Sequence, residues 1–383
     1  MKLTTLTRAI LVAGSAAGFF FSNEAKAQAS DSARSASVVV QQPAPATVQE
    51  EPKKKAWYDR ISLRGYAQVR YNRLLETNPN LKCDQCDKSL GKGGGLFLRR
   101  GRLIFSGDVS DRLSIYIQPD FASSASSNSL HFFQLRDAYF DVSLDKAKVY
   151  RLRVGQSKIP YGFENLQSSS NRLALDRNDG LNSAVANERD LGIFFYWTPE
   201  VIQERFKMLT DAGLKGTGNY GVFGLGIYNG QTANRPEANS TQHVVARLSY
   251  PLLVGGKQIV EPGIQAYKGR YVVTPDQVSS GVGIAEKYLK EGFDDERIAA
   301  SFVVYPQPFG FQAEYNIGRG PEFNPETNAI EVQNLHGGYA RAMPQGWLDR
   351  QKAEVAKRVA QADVVITTAL IPGRPAPVLV TDG

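Results

Sequence analysis

The sequence predicts an all-β fold, an antiparallel transmembrane β-barrel, and three observations predict it. Short segments alternating apolar and polar residues recur along the chain, their apolar faces end in aromatics, and the amino terminus reads as an export signal. A periplasmic β-sandwich would also alternate. The barrel is favoured because the segments follow one another as hairpins with little helix between them.

The export signal comes first. Lys2 and Arg8 form a basic start, Ala9 to Phe21 is an uncharged, largely apolar run, and Ala25-Lys26-Ala27 offers a small-x-small cleavage site before Gln28. The run is shorter than the ~20 residues a spanning helix needs. No later segment qualifies as such a helix; the longest uncharged stretch, Gly216 to Asn234, is filled with Gly, Asn and Thr. Residues 1–27 are therefore expected to be a signal peptide. Residues 28–56, mixing Ala, Ser, Gln and Pro before a Glu- and Lys-rich run, are expected to be a disordered periplasmic linker.

Composition narrows the function classes. The chain has 383 residues, with 35 Gly, 17 Tyr and 19 Phe but 3 Met and 2 Cys, which suits a β-protein rich in turns and aromatics. Its formal net charge of +7 points to an anionic partner. Export disfavours nucleic acid, leaving anionic lipid or a small anionic solute. Cys83 and Cys86 are spaced C-x-x-C, a redox or zinc spacing in the cytosol. They sit in a polar loop with no second pair, and His131, His243 and His336 are isolated, so no metal site is expected. In an oxidising compartment a local disulfide is the favoured reading.

From Trp57 the period becomes two. Ile61, Leu63, Ala67, Val69 and Tyr71 share one side of a strand, and Arg60, Ser62, Arg64, Gln68 and Arg70 the other. Leu113, Ile115, Ile117 and Phe121 alternate with Arg112, Ser114, Gln118 and Asp120. Ala138, Phe140, Val142 and Leu144 alternate with Asp137, Asp141 and Ser143. The same pattern returns at Val244–Tyr250, Ile298–Val304 and Phe309–Tyr315. About twelve such segments lie between Arg60 and Gly318, most near the ~10 residues of a tilted membrane strand. The second is irregular, because Arg99 and Ile104 break the alternation. Between strands five and six, Ile159 to Asp190 carries Pro160-Tyr161-Gly162, a serine run and many charges. It either folds into the lumen or forms a surface loop; the residues alone leave both open.

Four motifs in order resemble one family. Phe97-Leu98-Arg99-Arg100-Gly101-Arg102-Leu103, Leu135-Arg136-Asp137-Ala138-Tyr139, Val154–Gly162 and Glu188-Arg189-Asp190-Leu191-Gly192 are similar to stretches of the phosphate-selective porin O/P family, over about residues 57–335. The resemblance implies a sixteen-stranded, homotrimeric outer-membrane barrel that passes small anions such as phosphate, without a cofactor and without enzymatic activity. It also implies an arginine ladder in the lumen, for which Arg64, Arg70, Arg100, Arg102, Arg112, Arg151 and Arg153 are the candidates. Lys158, Arg172, Arg177 and Arg189 are the candidates on the constricting third loop. Arginine suits this work because its fork of donors stays charged and matches phosphate oxygens. The competing reading is that Asp108, Asp120, Asp137 and Asp141 neutralise these arginines in pairs.

The end of the chain departs from that family. Residues 57–336 read as an incomplete barrel, with the regular sheet expected to run to about Gly318, and residues 337–383 as a foreign tail. Trp347 to Gln361 has helical spacing, and Asp363 to Leu370 reads as a buried parallel strand. Thr367–Leu379 resembles a fragment of the alpha subunit of proton-translocating NAD(P) transhydrogenase, but that family's glycine-rich dinucleotide turn is absent. Three functions remain open: an outer-membrane anion channel, a soluble periplasmic β-protein binding acidic glycans, and a truncated chimeric product without function.

Overall fold

The computed structural model describes residues 56–72, 95–122 and 133–344, apart from 170–171, 173–176, 183, 186 and 308. The signal peptide, most of the linker, Cys83 and Cys86, and the tail beyond 344 lie outside the described residues.

One antiparallel sheet of thirteen strands makes up the structure. In chain order these are β1 (Ile61–Asn72), β2 (Gly95–Asp108), β3 (Leu113–Asp120), β4 (Gln134–Ser143), β5 (Tyr150–Lys158), β6 (Arg189–Trp197) and β7 (Phe223–Tyr228). They continue with β8 (His243–Ser249), β9 (Leu252–Val254), β10 (Gln258–Tyr271), β11 (Phe293–Val304), β12 (Phe309–Asn324) and β13 (Ala329–Pro344). Each strand pairs with its sequence neighbour, except that β8 and the short β9 both pair with β10. Among the described residues no helix is long and apolar enough to cross a membrane, and β1 and β13 form no ladder with each other.

The sheet is inside out. Leu63, Phe105, Phe140, Leu191, Ile193, Ile227, Val244, Leu248, Ile264, Ile298, Phe302 and Ile317 are exposed, while Gln68, Arg102, Asp120, Asp137, Asp141, Arg153, Arg247 and Glu261 are buried. Strand alternation puts the two sets on opposite faces. An aqueous β-protein buries the first set; a strand wall in lipid exposes it. The outward faces expected from the sequence at β1, β4, β8, β11 and β12 are the ones observed.

The irregular second strand has a simple cause. Gln68 pairs with Arg100 but Val69 with Leu98, so Arg99 is the extra residue of a β-bulge. Gln118 pairs with Asp137 but Pro119 with Leu135, which makes Arg136 a second bulge residue on β4. Ile104 does break the pattern: it is buried on the inner face between Arg102 and Ser106.

One expectation about regular structure is corrected. The sheet does not stop near Gly318: β12 runs on to Asn324, and β13 pairs with it along its whole length, through residues 337–344. The boundary expected at 336/337 therefore falls inside a strand. That strand escapes pattern reading because its outward positions include Asn334, His336 and Gly338, which carry no apolar stripe. A helix follows β6, Glu200–Asp211, and buries Ile202 and Leu209. Phe206, Leu209 and Leu214 pack on Ile259, Val303 and Tyr305 at the turn end of the sheet.

Candidate functional site

Residues 159–188 connect β5 to β6 and contain two short helical turns, α1 (Phe163–Leu166) and α2 (Asp179–Asn182). Of the two readings left open, the inward one is observed. Ile159, Tyr161, Ala184 and Val185 join an apolar cluster with Phe194, Tyr196, Val245 and Tyr267 on the inner wall. On the far wall, Glu314 of β12 accepts the backbone N–H groups of Phe163 and, at 2.8 Å, Glu164. Asn316 donates to the Gly180 carbonyl at 2.7 Å and to that of Gly337 at 2.8 Å. Here α2 rests on β13 so closely that a Cβ on Gly180 would lie 3.0 Å from Gly337 and Gly338 backbone atoms, which is why glycine meets glycine. Arg341 of β13 pairs with Glu164. Towards the first strands, Ser169 Oγ lies 2.5 Å from the Tyr66 hydroxyl and accepts from Arg102 at 2.8 Å. The loop thus spans the inner face and ties both edge regions of the sheet to itself.

The four loop candidates converge on a single carboxylate. Glu188 is contacted by Lys158 at 3.6 Å, Arg177 at 2.9 Å and Arg189 at 2.8 Å, and also by Arg172. Burial opposes ionisation of Glu188, but the surrounding Arg172, Arg177, Lys158 and Arg189 charges outweigh it and hold the carboxyl well below its usual range. Lys158 also donates to the carbonyls of Asn165 (2.9 Å), Leu166 (3.2 Å) and Gln167 (2.5 Å), so it fixes the turn after α1. Arg189 reaches Asp137 at 2.9 Å as well. These cations organise the loop before they act on any solute.

The wall arginines fall into three groups. Arg102 pairs with Asp120 at 2.7 Å, Arg153 with both oxygens of Asp141 at 2.8 and 3.0 Å, and Arg151 with Asp141 at 3.5 Å. Pairwise neutralisation is thus present at these positions. Arg153 also lies over Tyr139, 3.9 Å from its ring centre, and Arg151 over Tyr196 at 5.1 Å. Gly155 makes room opposite Tyr139: at φ +125°, a Cβ there would come within 2.3 Å of the Ala138 carbonyl. Arg70 and Arg100 share the Gln68 side-chain oxygen, the first at 3.3 Å. Arg64 is exposed on the inner side and has no salt bridge among the described residues. Arg112 does not belong with the rest. It sits in the β2–β3 turn, exposed, and donates to the Leu144 carbonyl at 3.3 Å. Alternation placed it on a polar face, but the chain turns before that face becomes wall.

Sequence reasoning missed Gln68, Glu164, Glu314 and Asn316 as organising residues. The signal for Glu314 was a lone acid between outward Ala313 and Tyr315, which marks an inward position but gives no partner. Among the described residues, no group of three His, Cys, Asp or Glu gathers to hold a metal ion.

A sheet with an apolar outer face, a charged inner face and a loop folded across the latter defines a membrane channel of the porin class, not an enzyme. The chain belongs to the family of phosphate-selective porins O and P, whose family model matches residues 82–343. A second likeness is short. An alpha-subunit polypeptide of NAD(P) transhydrogenase from Rhodospirillum rubrum is 42% identical over 57 residues, 15% of this chain and 15% of that protein. The chain thus spans about 15% of the length of that curated relative. Among solved structures, in-vitro folded OmpT, an outer membrane protein of Vibrio cholerae in trimer form, matches with 11% identity and a TM-score of 0.26. It covers 74% of this chain and 100% of its own.

Proposed function

We propose that this outer-membrane porin is a passive diffusion channel for small anions, phosphate or polyphosphate among them. The observation that carries the reading is that β1 and β2 turn Arg64, Arg70, Arg100 and Arg102 away from the apolar belt. Rings of basic side chains select anions by their field and by replacing some of the hydration shell. In this reading the 159–188 loop, stiffened by Glu188 and its four cations, sets the narrowest section. Arg151 and Arg153 continue the basic wall towards the turn end. The functional assembly is a homotrimer, and residues 1–27 are removed on export.

A soluble glycan-binding β-protein is disfavoured by the exposed belt, where Leu63 is 60% and Leu191 49% accessible. The remaining alternative is a chain whose end derives from a foreign gene. The 57-residue transhydrogenase likeness favours it, as does the lack of a β1–β13 ladder among the described residues, and the segment expected to be foreign is residues 337–383. The test is reconstitution of the purified full chain in planar bilayers under a salt gradient. A reversal potential on the anion side supports the channel. Failure to insert into bilayers favours the foreign-end reading, and recovery in the carbonate-extractable fraction of cells favours the soluble β-protein.

A further inference from the structure

The inner wall holds a cleft near the turn end, of about 220 Å³, whose lining includes Arg64, Ser106, Asp108, Tyr116, Tyr139 and Asp141. We propose that this cleft is a binding subsite for a small ring-bearing organic monoanion, such as an aromatic carboxylate. The proposal rests on the anion-channel reading and refines its substrate class.

Charge favours an anion here. The two carboxylates of the cleft are already engaged: Asp141 by Arg153 and Arg151, and Asp108 by Lys148 at 3.3 Å. Arg64 has no salt bridge among the described residues and is exposed to the cleft. Arg64 lines the cleft itself, while Arg151, Arg153 and Lys148, which do not line it, offset its two acids. Arg64 can therefore offer its fork to a carboxylate.

Shape favours a ring. Tyr116 and Tyr139 are cross-strand partners, stacked with ring centres 5.2 Å apart and planes at 9°. Arg153 covers Tyr139 and fixes it, and the Tyr116 hydroxyl donates to Gln118 at 2.9 Å. Tyr116 is thus a rigid, half-buried platform at the cleft, and a flat ring stacks on such a surface at low entropic cost. The volume exceeds what an inorganic oxyanion fills and falls below the ~300–1,000 Å³ of drug-sized pockets. One accessible guanidinium beside an engaged Asp141 suits a single negative charge better than the several charges of a polyphosphate. Ser106 and Ser114 add hydroxyl donors at the polar edge.

The test uses the full chain folded in detergent and titrated calorimetrically with benzoate and, separately, with inorganic phosphate. Arg64→Gln should weaken benzoate about tenfold, the scale of one lost charge-assisted contact. Tyr116→Leu should weaken benzoate about three- to tenfold and leave phosphate unchanged, as loss of a stacking platform predicts. Both variants lie at an open cleft, and circular dichroism checks that they fold. No benzoate binding to the folded wild type overturns the proposal. So does a Tyr116→Leu variant that binds benzoate as wild type does, which would leave a site reading charge alone. A bilayer measurement on the same preparation scores the channel reading separately. Reversal without anion preference defeats that reading whatever benzoate does.

Discussion

The carboxylate of Glu314 on β12 receives the backbone N–H of Glu164 at 2.8 Å, from a loop that leaves the sheet at β5. Residues far apart in the chain are joined there across the inner face, and Tyr339 of β13 donates to the same carboxylate at 2.6 Å. Glu314→Ala removes the acceptor of two buried backbone donors and of one half-buried hydroxyl. Leaving a buried donor without its acceptor costs about 1–3 kcal/mol, so the loop should detach locally while the sheet persists. Single-channel recordings should then show higher and noisier conductance. Traces indistinguishable from wild type would mean that the loop is held without this anchor.

Glu188 gives a prediction in pH. Its folded carboxyl is held well below the unfolded range of about 4.3–4.5, so its contribution to stability is fully present above that range. That contribution is lost progressively as pH falls from there through the lower folded value. Thermal unfolding of the wild type should therefore weaken steeply below about pH 4.5. Glu188→Gln should be destabilised by about 3–5 kcal/mol at neutral pH, because Lys158, Arg172 and Arg177 lose this counter-charge while Arg189 keeps Asp137. Parallel pH profiles for the two proteins would show that this cluster is not the acid-sensitive element.

Selectivity should follow position. Arg100→Gln combined with Arg102→Gln removes two inward charges and leaves Asp120 without its 2.7 Å partner. The anion-to-cation permeability ratio should drop. Arg112→Gln, in the exposed turn, should leave the reversal potential where it was. Equal shifts from the two substitutions would indicate a long-range field rather than a lining.

The outer face makes a stability prediction. Ile193 of β6 is 44% exposed on the apolar side. Ile193→Arg should cost about 2–4 kcal/mol in lipid if that position lies near the bilayer midplane. Urea unfolding in vesicles measures it. A cost near zero would place β6 outside the hydrocarbon.

The sequence by itself determined which face β1, β4, β8, β11 and β12 turn to lipid, because side-chain direction alternates with period two and needs no knowledge of neighbours. Ile298, Ala300 and Phe302, or Val244, Ala246 and Leu248, declare an outer wall by order alone. It likewise determined where the long connection after β5 begins and ends, since Pro160 and the serine run cannot continue a ladder. Tertiary structure decided what depends on distance across the sheet. Arg102 and Asp120 are 18 residues apart and meet because β2 and β3 are in register there; Glu314 and the loop meet only because the wall curves. The turn that excludes Arg112, the bulges at Arg99 and Arg136, and the strand through Gly337 and Gly338 were decided the same way. Each is fixed by pairing geometry with a distant segment, and a local pattern carries no record of its partner.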